Sequence, residues 1–220
     1  MRLTSFRGPL VGSPSWSPDG RAIAFDSRPD GNADIYVVSS EGGQPRRLTT
    51  DAAEDVVPSW SHDGQWIYFA SQRSGRLQIW KAPSQGGAAV QVTQGGGFDP
   101  LESPDGQWLY YTQERGSAAI WRVPVAGGTE QPVYDFRQRN YSRLWMIVSD
   151  GIYFAVTDSP NNFSIKLFDF ASSSVKDVAN IALALRSGVS GLAISPDGKW
   201  LLFPVVTQRG SDLMVIENFH

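Results

Sequence analysis

A chain of 220 residues with 41% hydrophobic content can bury a substantial core, and its formal net charge of −3, with acids and bases interspersed, offers no basic stripe to track a phosphate backbone. Direct nucleic-acid binding is therefore not expected, and the absence of cysteine removes disulfides and thiolate zinc sites while fitting either cytoplasm or periplasm. No stretch approaches the ~18 apolar residues of a membrane span, and residues 1–8 lack the apolar run of a signal peptide.

The first element is a phrase, Pro14-Ser15-Trp16-Ser17-Pro18-Asp19-Gly20 followed by Ile23-Ala24-Phe25, and the rest of the chain repeats it. Asp-Gly pairs recur at Asp19-Gly20, Asp63-Gly64, Asp105-Gly106, Asp150-Gly151 and Asp197-Gly198, separated by 44, 42, 45 and 47 residues. A period this regular marks a repeat architecture. Eight Trp, seven Tyr and eleven Phe, abundant Gly and Pro, and little 3.6-residue periodicity favour short strands joined by tight turns.

The second copy shows the unit: residues 56–61 form a strand, 62–64 turn, 66–70 return, 77–82 run down, and 90–93 close a four-stranded meander. Glycine at each turn accepts positive φ. Four short antiparallel strands every ~40 to 45 residues is the blade of a β-propeller. One blade cannot bury its own faces, so neighbours must stack, and Trp16, Trp60, Trp80 and Trp121 suit that packing at about 2–3 kcal/mol each. In the third copy Glu102 stands where Trp16 and Trp60 stand, so it needs a basic partner, a shifted strand or a wet neighbourhood. The fourth copy diverges, and residues 134–143 at its entry concentrate three arginines and two tyrosines. The apolar run at 181–185 is too short to assign to helix or strand.

The fifth copy stops after its third strand, while Arg2-Leu3-Thr4 repeats the fourth-strand phrase Arg47-Leu48-Thr49. The expectation is an all-β, five-bladed propeller of four-stranded antiparallel blades in a single domain, 1–220. Its blades fall near 9–50, 51–94, 95–134, 135–180 and 181–220, the last closed by an N-terminal strand at 1–5, which removes an open edge. The other possibility is a slice of a larger propeller.

Ser-Pro-Asp-Gly with a preceding Trp, then Ile-Ala-Phe, Asp34-Ile35-Tyr36-Val37 and Arg47-Leu48-Thr49, resembles the TolB-type propeller repeat, a relative of the WD-repeat families. The likeness covers almost the whole chain and is weakest in the fourth copy. The closing run at 212–219 also resembles the tails of bacterial regulators that join a winged helix, often CadC-like, or a kinase to such a propeller. That resemblance implies a C-terminal sensing or interaction module.

Candidate chemistry is sparse, and no catalytic, metal or cofactor site is expected. His62 takes the turn position that Pro18, Pro104 and Pro196 hold elsewhere, and no Gly-x-Ser-x-Gly elbow occurs. The five recurring aspartates read as turn-formers, because a carboxylate there bonds nearby backbone amides. Asp34 and Asp212 read as blade-corner residues. Fourth-to-first and second-to-third strand loops emerge at one rim, where a rigid scaffold leaves loops free to bind. That rim carries Arg7, Arg28, Glu54, Asp55, Arg73, Phe98, Asp99, Arg115, Arg137, Arg139, Tyr141, Arg143 and Arg209. With Glu102, these form a candidate surface for a protein or a small polar ligand at the mouth of the central channel, centred on Arg137, Arg139, Tyr141 and Arg143.

The expected function is a non-enzymatic interaction or ligand-sensing module, in the context of a larger bacterial regulator. Two alternatives stand beside it. A five-bladed glycan-active enzyme would need converging carboxylates, for which Asp55, Asp99 and Glu102 are available. A gating propeller of a prolyl-oligopeptidase-like peptidase would need a catalytic domain encoded elsewhere.

Overall fold

The first three Ser-x-Asp-Gly phrases each close a hairpin through their own side chains. Ser17 Oγ donates to Asp19 Oδ1 at 2.6 Å, and the same carboxylate oxygen accepts the Arg21 backbone N–H at 3.1 Å. The arrangement repeats at Ser61, Asp63 and Gln65 (2.6 and 2.9 Å) and at Ser103, Asp105 and Gln107 (2.5 and 3.0 Å). Gly20, Gly64 and Gly106 complete these turns at φ 69°, 69° and 68°, a region that a Cβ disfavours.

The computed structural model describes residues 11–117, 119–136, 144–159, 162–182, 191–195, 199–207 and 210–217, with backbone alone at 11, 204–207 and 210–217. The chain divides into two compact units, Met1–Val133 and Tyr134–His220. Among the described residues there are five antiparallel sheets, each built from strands consecutive in sequence.

The first sheet joins β1 (Val11–Trp16), β2 (Ala22–Ser27), β3 (Asp34–Ser39) and β4 (Arg46–Arg47). The second joins β5 (Asp55–Trp60), β6 (Trp66–Ser71), β7 (Gln78–Pro83) and β8 (Val90–Gln91). The third joins β9 (Phe98–Glu102), β10 (Trp108–Thr112), β11 (Ala119–Pro124) and β12 (Gln131–Asp135). In the second unit, β13 (Trp145–Ile147), β14 (Gly151–Ser159), β15 (Asn162–Asp169) and β16 (Ser174–Ile181) form the fourth sheet. The fifth has three strands, β17 (Ala193–Ile194), β18 (Trp200–Thr207) and β19 (Gly210–Glu217). The all-β expectation and the four-stranded meander therefore hold. The closing strand expected at residues 1–5 lies outside the described residues, as does Asp197-Gly198.

The fourth strands of the first two sheets are shorter than the sequence suggests, for a side-chain reason. Thr49 Oγ1 accepts the Ile35 N–H at 3.0 Å, and Thr93 Oγ1 accepts the Ile79 N–H at 2.9 Å, so a hydroxyl replaces the next backbone acceptor. The ladder ends there, after Arg47 and Gln91. Asp34 is 1% exposed and pairs with Arg47; burial raises its carboxyl above the usual range, and the guanidinium offsets part of that rise.

The first strands of the three sheets share a bulge. Ser13, Val57 and Asp99 each have φ 52°, each precedes a proline, and each sits where the register with the second strand slips. Proline cannot donate to the ladder, so Pro14, Pro58 and Pro100 belong at such breaks. A β-branched residue at positive φ is a true outlier, and the Val57 N–H is held by Asp26 Oδ1 of the first sheet at 3.3 Å.

Cores lie between successive sheets. Ala24, Ile35, Ile67, Phe69 and Ala82 pack between the first and second sheets, with Trp60 and Trp80 against them. Tyr68, Ala70, Ile79, Phe98, Leu109 and Tyr111 pack between the second and third, with Trp121 against them. Trp16 departs from the expected packing. It is 58% exposed, because it occupies the position of Trp60 in the first sheet, where no earlier sheet lies against it among the described residues of the unit. The second unit is centred on Leu144, Ala155, Phe163, Ile165, Leu201 and Phe203.

Candidate functional site

The second-to-third and fourth-to-first strand loops of the first unit meet at one end of the sheets, and their charged residues pair with one another. Arg28, after β2, lies 3.2 Å from Glu54 and 3.7 Å from Asp26. Arg73, after β6, lies 2.6 Å from Asp55 and 3.9 Å from Asp51. The loop between β4 and β5 is thus bracketed by two arginines. Asn32 Nδ2 ties it down further, donating to the Asp51 carbonyl at 2.9 Å.

This geometry changes the standing of several candidate residues. Asp55 is wholly buried, and Arg73 is stacked over Phe69 and Trp80 at 5.3 and 5.0 Å. Their charges are engaged with each other rather than offered at an opening. Phe98 is a core residue, 1% exposed, with Arg115 over its ring at 4.9 Å. Asp99 is also buried, at the bulge of β9. Arg7, Arg137, Arg139, Tyr141, Arg143 and Arg209 lie outside the described residues. At the start of the 134–143 segment, however, Tyr134 stacks on Phe168 (4.5 Å) and Phe136 packs on Phe154 (4.3 Å). Alternation puts both rings on one side of the chain, Phe136 buried and Tyr134 half-buried.

Glu102 has found a partner, though not a basic side chain. Its Oε1 accepts the backbone N–H of His62 at 2.8 Å, tying the third sheet to the hairpin of the second. The strand is not shifted, since Glu102 pairs with Leu109 as Trp60 pairs with the equivalent Ile67. Tyr68 faces this carboxylate from the second sheet; burial first, and then Glu102, push its phenol far above the usual value. The Tyr68 hydroxyl, Glu102 Oε2 and Ser59 Oγ are all buried without a hydrogen bond of proper geometry.

A second carboxylate latch was not foreseen. Glu130 accepts the N–H groups of Gln94 (2.6 Å) and Gly95 (3.0 Å) and the Tyr111 hydroxyl (2.5 Å). The three glycines at 95–97 make this possible, because a Cβ would come within 2.7 Å of Glu130 at Gly95, 2.6 Å of the Gln113 carbonyl at Gly96 and 2.5 Å of the Ile79 nitrogen at Gly97. The run of glycines was the available signal.

At the opposite, hairpin end, the first and second sheets enclose a cleft of about 330 Å3 lined by Ser17, Pro18, Asp19, Arg21, Ala22, Trp60, Asp63, Gly64 and Gln85. Trp60 spans it, with Nε1 donating to the Ser15 carbonyl at 3.1 Å. Hydrogen bonds from Ser17 and the Arg21 N–H hold the Asp19 carboxyl below the ordinary range, and those from Ser61 and the Gln65 N–H do the same for Asp63. Among the described residues, no group of three or more His, Asp or Glu is placed to hold a metal ion, and no helix is long and apolar enough to cross a membrane.

Residues 1–100 match the model of the TolB beta propeller domain. The chain is 47% identical over 194 residues to the uncharacterized peptidase YuxL of Bacillus subtilis (strain 168), an alignment covering 86% of this chain and 21% of that protein. It is similar in structure to TolB from Acinetobacter baumannii, with a TM-score of 0.79 and 21% identity over 98% of this chain and 53% of that one. The putative TolB from Agrobacterium tumefaciens gives 0.69 and 25% over 93% and 73%. The chain therefore spans about a fifth of the peptidase it matches. Repeat, bulge and turn, read with these likenesses, give the chain a β-propeller fold, similar over residues 1–100 to the TolB beta propeller domain.

Proposed function

We propose that this chain is the non-catalytic propeller of a peptidase-type protein, and that it receives polypeptide segments and governs their access to a catalytic domain carried outside residues 1–220. The observation that carries the reading is the identity of 47%, sustained over 194 residues, to the uncharacterized peptidase YuxL. Fold likeness alone would not support it, since one scaffold hosts many functions.

The broader reading, a non-enzymatic interaction module, shares the same physical core and draws support from the match of residues 1–100 to the TolB propeller domain. A winged-helix or kinase-linked regulator rests on the run at 212–219 alone, and none of the relatives above is of that kind. The glycan-active alternative loses support from the site itself. Asp55 and Asp99 are buried, and Glu102 holds a hairpin rather than facing a second carboxylate across an open mouth.

The test expresses the reading frame that contains residues 1–220 whole and with those residues excised. Hydrolysis of a short chromogenic peptide is then compared with hydrolysis of long peptides and folded proteins. The excised form is expected to keep cleaving the short peptide and to lose discrimination among larger substrates. Absence of peptide hydrolysis by the whole polypeptide would overturn the reading.

A further inference from the structure

The cleft at the hairpin end has no part in the loop-end network, yet it is built like a recognition site. Its volume of about 330 Å3 falls within the ~300–1,000 Å3 of ordinary ligand sites. Its aromatic wall, Trp60, is fixed at both ends, by packing against the core of the first two sheets and by the bond from Nε1 to Ser15. Two walls are hairpin turns of successive repeats, and the third, at Gln85, belongs to the turn after β7. Arg46 of the first sheet clamps that turn by donating to the Ser84 carbonyl at 2.6 Å.

The electrostatics select the occupant. Asp19 and Asp63 are held ionised by their turn hydrogen bonds and face the cleft from two of its walls; Arg21 is the cation among the lining residues, and the Arg46 guanidinium is engaged behind the third wall with the Ser84 carbonyl. A carboxylate ligand would meet like charge from two sides, and a purely apolar ligand would leave both charges without reward. A cation on an aliphatic stem satisfies every wall, with the stem along the indole and the charge between the carboxylates. The chain uses the same chemistry within its own surface, placing Lys81 over Trp66 at 4.8 Å and Arg122 over Trp108 at 4.0 Å.

We propose that the cleft between the first and second hairpins binds a lysine or arginine side chain of a polypeptide, stacked on Trp60 and paired with Asp19 and Asp63. This rests on the polypeptide-receiving reading above and adds the residue class received. It also places a contact on the hairpin end of the sheets, away from the loops where the sequence had pointed.

The probe is the 220-residue chain, labelled with nitrogen-15, titrated with acetyl-lysine methylamide and acetyl-arginine methylamide. The Trp60 indole N–H signal is identified by its loss in Trp60→Phe. A saturable shift of that signal with the two cationic amides is expected, together with no shift for the acetyl-norleucine and acetyl-glutamate counterparts. Asp19→Asn with Asp63→Asn keeps the turn acceptors while removing both charges, and should weaken the apparent affinity about tenfold or more, as should raising salt to about 1 M. An equal response to the norleucine amide, a response to glucose in place of the cations, or no shift at saturating probe would each overturn the proposal. None of these outcomes bears on substrate discrimination by the whole polypeptide, so the peptidase reading stands or falls separately.

Discussion

Arg73 Nη2 lies 2.6 Å from Asp55 Oδ2, and the carboxylate it meets is wholly buried. A buried pair of this kind is costly to break from one side, because the survivor is left charged without a partner. Arg73→Met should therefore destabilise the chain by about 3–5 kcal/mol, and adding Asp55→Ser should recover much of the loss. Urea unfolding of the two single variants and the double variant measures this coupling directly. Additive losses would show that the two groups do not depend on each other.

Glycine is required at 97 and 151 by space rather than by φ. A Cβ at Gly97 would stand 2.5 Å from the Ile79 nitrogen, and one at Gly151 would stand 2.2 Å from the Phe168 carbonyl. Both contacts are with backbone in a paired strand, so neither can yield cheaply. Gly97→Ala and Gly151→Ala are each expected to cost more than about 2 kcal/mol. By contrast, Gly31→Ala meets nothing within 4 Å and suffers only from its φ of 107°, at about 1 kcal/mol. The melting temperature should fall least for Gly31→Ala.

Tyr111 links alkaline stability to the Glu130 latch. Burial, and then the Glu130 carboxylate, raise its phenol above the usual value of 10.0. A folded-state pKa above the unfolded one contributes stability that is complete below pH ~10 and is lost as pH rises through the folded value. Tyr111→Phe should cost about 1–2 kcal/mol at neutral pH by removing one donor from Glu130, and should flatten the loss of stability above pH ~10. Denaturant midpoints across pH 7 to ~11 separate these effects.

The hairpin aspartates work at the other end of the scale. Asp19, Asp63 and Asp105 are each held below the usual carboxyl range, chiefly by the neighbouring serine hydroxyl and then by a backbone N–H. Depressed folded-state values mean that their stabilisation is present above the unfolded pKa of about 3.9 and is lost as pH falls through the folded values. Replacing all three by asparagine keeps the acceptors and should remove part of the acid sensitivity without a comparable loss at pH 7. An unchanged acid unfolding profile would refute this origin.

Much of this fold was legible in the sequence because its signals are local. Ser61, Asp63 and Gly64 bond within a few residues of one another, so the turn is written where it forms. Thr49 and Thr93 recur with the repeat and mark the end of the fourth strand in the first two sheets, although their hydroxyls shorten those strands below expectation. The site was less legible because its geometry lies between sheets. Asp55 and Arg73 look like free loop charges until their loops are brought together, and Glu102 reads as a misplaced charge until the His62 N–H appears opposite it. The ring contacts of Tyr134 and Phe136 with Phe168 and Phe154 join residues distant in the chain, so no local pattern announces them. The cleft around Trp60 needed two hairpins 44 residues apart to be seen as neighbours.

The central claim is that this propeller recognises polypeptide, and the most direct measurement is equilibrium binding of short, extended, fluorescently labelled peptides to the 220-residue chain by anisotropy, with unlabelled peptide as competitor. Saturable, competable binding of peptides that is lost when the same sequences are held inside a folded domain is the predicted result. Absence of saturable binding for every peptide tested, with the chain shown to be folded, would contradict it.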